Sequence, residues 1–159
     1  MTKQGRRIAG AVGGAVAAGL GITALLLVME KKTGKPSEIA QLGRASAAKL
    51  GLETPPPDAL PSAREQAVVQ GGHLALSALA GVAFAVLVDE DAGVVPSGAA
   101  FGLGFYALAH WIAGPALGVK PPEWKADAGT IGMHTANHLL FGLATAWAAQ
   151  RAGASGQAD

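Results

Sequence analysis

The chain has no cysteine among its 159 residues. Disulfides, thiolate metal sites and cysteine nucleophiles are therefore excluded. Charge is scarce as well: Asp, Glu, Lys and Arg make up 14%, against roughly 25% in ordinary globular domains. Aromatic residues make up 5%, with a single tyrosine. No basic stripe interleaved with aromatic residues appears, which argues against nucleic acid as a partner. The catalytic fingerprints are missing too. There is no GxSxG elbow, no P-loop and no dinucleotide fingerprint after a strand. An HExxH protease pattern would need Glu at position 135, which is Thr. These absences lead us to expect a protein without enzymatic turnover.

What is present is apolar and small. Hydrophobic residues account for 50% of the chain, and glycine occurs 23 times. Four blocks, 8–29, 66–88, 92–119 and 128–150, contain no charged residue. Each is longer than the ~20 residues a helix needs to cross a bilayer core. A soluble Ala-rich bundle would need charged outer faces, which these blocks lack. Mean hydropathy is a modest +0.34, because Ala and Gly add little to it. The fold expected is all-α, an integral membrane bundle of four transmembrane helices over about 8–29, 66–88, 96–119 and 128–150. They form one domain, 1–150, with a disordered tail, 151–159. The basic start followed by an apolar run to Met29 is too long for a cleaved signal peptide and reads as an anchor helix.

Residues 30–65 hold 11 of the 23 charged residues and read as the main polar loop. Within it Ser37 can cap a short helix reaching about Leu50, with Gly51 as its stop. "TPPPDALP" follows as a stiff linker. Gly10 and Gly14 in helix one have GxxxG spacing, which lets helix backbones approach closely and suggests self-association. The lipid bilayer, a further copy of the chain or a membrane-complex partner are the partners implied. Eight basic residues flank the two connections on one side and four lie on the other. The positive-inside rule favours the first side as cytoplasmic, although the flanks of helix one balance, leaving the orientation open.

The four histidines, His73, His110, His134 and His138, all sit in these blocks. At 1.5 Å per residue they lie about 9 to 15 Å from the same face of the bundle, His110 counted back from the end of its helix and the others from the start of theirs. Each lies on a polar-and-small stripe: Gln70, His73 and Ser77; Tyr106 and His110; His134, His138 and Asn137. Such stripes turn inward in a bundle. Pro115 removes the hydrogen bond to the carbonyl of Trp111 and loosens the helix one turn from His110. Three readings follow. Neutral histidines can bond across helices as structural glue. His73, His110, His134 and His138 can bind a cofactor, with His110, His134 and His138 as metal ligands or the set as a haem site. Imidazoles can also carry protons or ions in a small transporter. Glu30, Glu123 and Asp127 lie at the mouth of that face, where they would serve its entrance.

The stretch "AHWIAGPALGVKPPEW" resembles the YagU-like group of small bacterial inner-membrane proteins of unknown function. The residues carrying the resemblance are His110, Pro115, Gly118 and Pro121-Pro122, a later histidine at His138, and Gly72-His73 before them. His134 stands where that group has an acidic residue. The resemblance implies a multi-pass protein of the bacterial cytoplasmic membrane and supplies no activity. The functional expectation is a membrane scaffold or accessory subunit, with a metal or haem binder and a transporter as alternatives.

Overall fold

The computed structural model describes residues 1–154 and is all-α. Its helices are α1 (Lys3–Thr33), α2 (Glu38–Lys49), α3 (Ala63–Leu87), α4 (Val94–Tyr106) and α5 (Ala128–Ala154). α4 passes into a π-helical stretch, Ala107–Ala113, and closes on one α-turn, Gly114–Ala116. A 3₁₀ turn, Glu123–Lys125, precedes α5. Of the expected tail, Arg151–Ala154 continue α5, and residues 155–159 lie outside the described residues.

Local chemistry sets the helix starts. Thr2, Ser37 and Ser62 sit in extended conformation, and each side chain accepts from a backbone N–H in the first turn of α1, α2 and α3. This satisfies one of the donors every helix start leaves open. Asp127 does the same for α5, accepting from the N–H of Thr130 at 3.0 Å. Gly34 ends α1 in the left-handed conformation, at φ 64°, which costs glycine nothing.

α1 runs antiparallel to both α3 and α5, and α4 antiparallel to α5. Arg7, near the start of α1, donates to the carbonyls of Ala85 and Val88 at the far end of α3. Gly10 and Gly14 of α1 lie against Ala148 and Ala144 of α5; a Cβ on Gly10 would meet the Ala148 carbonyl at 2.5 Å. The GxxxG face is thus spent inside one chain, which corrects the expectation of self-association through it. The apolar core joins Ala11, Phe84, Ala85, Ala146 and Ala149, with a second group at Ala15, Ala80 and Phe141.

The expectation of four membrane spans is corrected as well. Among the described residues two helices, α1 and α3, are long and apolar enough to cross a membrane by length and composition. α4 is interrupted by the π-helical stretch, and α5 does not meet the same measure. Charged side chains are instead taken inside the bundle: Arg7, Glu30, Arg44 and Glu123 are all buried. Arg44 holds Glu65 with two hydrogen bonds, at 2.6 and 3.1 Å. Internal ion pairs of this kind replace the lipid-facing bundle. The multi-pass inner-membrane location and the lipid bilayer and membrane-complex partners are corrected with it. The physical reason lies in what freedom from charge measures. Gly, His, Gln and Thr are uncharged without being apolar. The small residues of these blocks serve to close helices on one another.

Candidate metal centre

The site lies at one end of the bundle, where α1 and α4 finish and α3 and α5 begin. The side chains come from α2, α4, the π-helical stretch, the connection before α5 and α5 itself. Glu38 opens α2, placed there by the Ser37 cap. His110 sits mid-way along the π-helical stretch, which widens the helix by one residue per turn and re-aims its side chains. Glu123 and Lys120 come from the connection after Gly118, whose φ of 64° turns the chain back. His134 lies two turns into α5. Tyr106 ends α4.

Glu123 is the hub. It is 1% exposed and lies 2.6 Å from His134 Nδ1, 2.9 Å from the Tyr106 hydroxyl and 2.8 Å from Lys120 Nζ. His134 uses its other nitrogen on Glu38, with Nε2 2.5 Å from the carboxylate. Both imidazole nitrogens therefore face groups that only accept, so both carry protons and the ring is an imidazolium. Lys120 donates to Glu38 at 2.7 Å, to Glu123 and to His110 Nδ1 at 2.7 Å. His110 accepts there and is neutral. The ring centroids of His110 and His134 are 4.4 Å apart, and His138 is 5.0 Å from His110.

The electrostatics follow from these contacts. Burial works against ionisation of Glu123, yet hydrogen bonds from His134, Lys120 and Tyr106 outweigh it and hold the carboxyl down at about 2. Glu38 is likewise lowered to about 2, burial again being overcome by His134 and Lys120. His134 is raised: burial opposes its charge, and the two carboxylates prevail. His110 is lowered to about 4 by burial first and then by the charge of Lys120. Burial is also the main cause that lowers His73 and His138. Two carboxylates, one ammonium and one imidazolium balance to zero, which offsets the cost of holding these charges away from water.

Donor atoms of Glu38, His110 and His134 all lie within 4.8 Å of one another. Imidazole and carboxylate donors at that spacing suit a borderline divalent ion such as Zn²⁺, and Glu123 stands beside them as a further oxygen donor.

Of the expected histidine set, the structure brings His110, His134 and His138 together. His138 Nδ1 donates to the His134 carbonyl at 2.8 Å, within its own helix. His73 belongs to a separate polar seam between α1 and α3, where its Nδ1 lies 3.2 Å from Thr23 Oγ1. Thr23 in turn donates to Gln70 at 2.9 Å, Gln70 to Gln66 at 3.2 Å, and Gln66 to Glu30 at 2.5 Å. Glu123 is the centre of the site rather than its entrance. Glu38 was missed, being 72 residues upstream of His110 on a helix that reads as a solvated surface element. Its signal is the Ser37 cap, which fixes the orientation of the residue that follows.

Searched against protein-family models, curated proteins and solved structures, the chain matches none of them. The resemblance to the YagU-like group is corrected accordingly: no family model carries it, and the fold closes on internal salt bridges. The roles built on the four-span bundle fall with that bundle. These are the membrane scaffold or accessory subunit, the four-histidine intramembrane metal or haem site, and the small transporter.

Proposed function

We propose that the protein binds a borderline divalent metal ion at Glu38, His110 and His134, with Glu123 as the neighbouring carboxylate, and that it does so without catalytic turnover. The observation that carries this reading is the convergence of the three donor atoms within 4.8 Å, from three separate elements. The donor set is carboxylate and imidazole, as Zn²⁺, Co²⁺ and Fe²⁺ accept, with no soft sulfur for copper(I). To become a ligand His134 gives up the proton it shares with one carboxylate, so uptake is opposed by acid. Binding without turnover is supported by the sequence, which carries no GxSxG, P-loop or HExxH pattern. The hydroxyl of Tyr106 is tied to Glu123, and burial raises its pKa, as does that hydrogen bond. That hydroxyl serves to hold the Glu123 carboxylate in place.

A second reading rests on the same charge balance: a metal-free clamp that fastens α2 to the bundle through Glu38. Cobalt(II) separates the two. Added to the full chain at neutral pH, it should give the visible absorption of a four- or five-coordinate site, lost in Glu38→Gln and His110→Ala. A colourless titration with intact helical signal would leave the clamp as the account.

A further inference from the structure

We infer that Lys120 is a built-in occupant of the metal position, an intramolecular cation that an incoming ion has to expel. The inference rests on the metal reading above and concerns how that site is regulated. The ammonium spends its three protons on Glu38 Oε1, Glu123 Oε2 and His110 Nδ1, at 2.7, 2.8 and 2.7 Å. Glu38 and His110, two of the three residues whose donor atoms converge, are thus already coordinated to a cation, as hydrogen-bond acceptors. The two occupants exclude one another by space and by charge. A metal ion draws its ligands to about 2.0–2.2 Å, shorter than the lysine's contacts by ~0.6 Å, and a retained ammonium beside it would add like charge to a half-buried cage.

The chain is shaped to seat this lysine. Its stem crosses the backbone of Gly114, where a Cβ would lie 2.5 Å from Lys120 Cγ and 2.8 Å from Cδ. Any side chain at 114 would lift the stem away. Lys120 itself stands in a turn, not a helix, held by the Gly118 reversal and a backbone bond from Val119 to the Gly114 carbonyl at 3.1 Å. The ligands lie on helices or a 3₁₀ turn, whereas the occupant lies on the connection between them, at the end of a long flexible side chain. A small cavity of about 170 Å³, lined by Glu38, Lys120, Pro122, Lys125, Thr130 and His134 among others, borders the cluster and provides a way in. The device keeps two carboxylates neutralised when no ion is present and makes metal uptake an exchange of one cation for another.

Equilibrium dialysis of the full chain against Zn²⁺ tests this with two variants. Lys120→Met removes the charge and keeps the stem. Gly114→Ala keeps the charge and displaces the stem. Both should bind Zn²⁺ more tightly than the parent, Lys120→Met by about tenfold or more, given the strength of close buried charge pairs. A second readout needs no variant. Reductive methylation should spare Lys120 in metal-free protein and modify it once Zn²⁺ saturates the site. Equal affinity in all three proteins, with Lys120 equally protected throughout, would overturn the exchange and leave the metal site standing. Zn²⁺ uptake by none of them would overturn the metal reading itself, and the exchange with it.

Discussion

Two polar clusters lie at the same end of this bundle, and each contains a glutamate and a histidine. Between α1 and α3, Glu30, Gln66, Gln70, Thr23 and His73 form a chain of hydrogen bonds joined by neutral groups. Around α4 and α5, Glu38, Glu123, Lys120, His110 and His134 form a cage of charges. The first spaces its histidine from its carboxylate by two amides and a hydroxyl. Burial then lowers His73. The second places carboxylates on both nitrogens of His134 and raises it. A histidine in a helical block is therefore not in itself a metal ligand. What decides is whether a carboxylate reaches its nitrogens, and the loops and short elements supply those carboxylates.

The comparison breaks most sharply at Glu123. Glu123→Ala leaves Lys120 and His134 sharing the single carboxylate of Glu38, one positive charge in excess, and should cost about 3 kcal/mol in urea unfolding. Acid gives the next effect. Glu123, depressed from 4.5 to about 2, contributes up to about 3 kcal/mol above its unfolded value. That contribution is lost as the pH falls through 4.5 towards 2, and Glu38 adds to the loss in the same window. His134, raised above 6.5, gives stability that is complete below 6.5 and is lost as the pH rises through its folded value. His73, lowered, acts oppositely and costs stability as the pH falls below 6.5. NMR titration of the four rings checks this order, with His134 titrating above 6.5 and His110 near 4. The smallest effect belongs to the neutral seam. Thr23→Val removes its bonds to Gln70 and His73 and should cost about 1 kcal/mol, with no change in metal affinity.

The all-α character could be read from the sequence because apolar and small residues run uninterrupted between polar connections, while the π-helical break of the third block, Ala107–Ala113, could not. The Ser37 cap marked the start of α2 for the same local reason. How the blocks use their faces could not be read so directly. Gly10 and Gly14 have the spacing of a membrane dimer face, yet their partners are Ala144 and Ala148 of the same chain. Only the tertiary packing distinguishes these uses. Counting residues along the helices put the four histidines at one depth; His110, His134 and His138 do come together, whereas His73 joins the separate seam. Glu123 was legible only as an entrance residue, and Glu38 not at all, because they sit in a 3₁₀ turn and a short helix. Their burial depends on how connections fold over the bundle end.

The most direct test is the stoichiometry of Zn²⁺ on the full chain at neutral pH, measured for the parent, His134→Ala and His73→Ala. The account predicts one ion per chain in the parent and in His73→Ala, and none in His134→Ala. An ion that survives the loss of His134 and disappears with His73, or no ion in the parent at all, would contradict it.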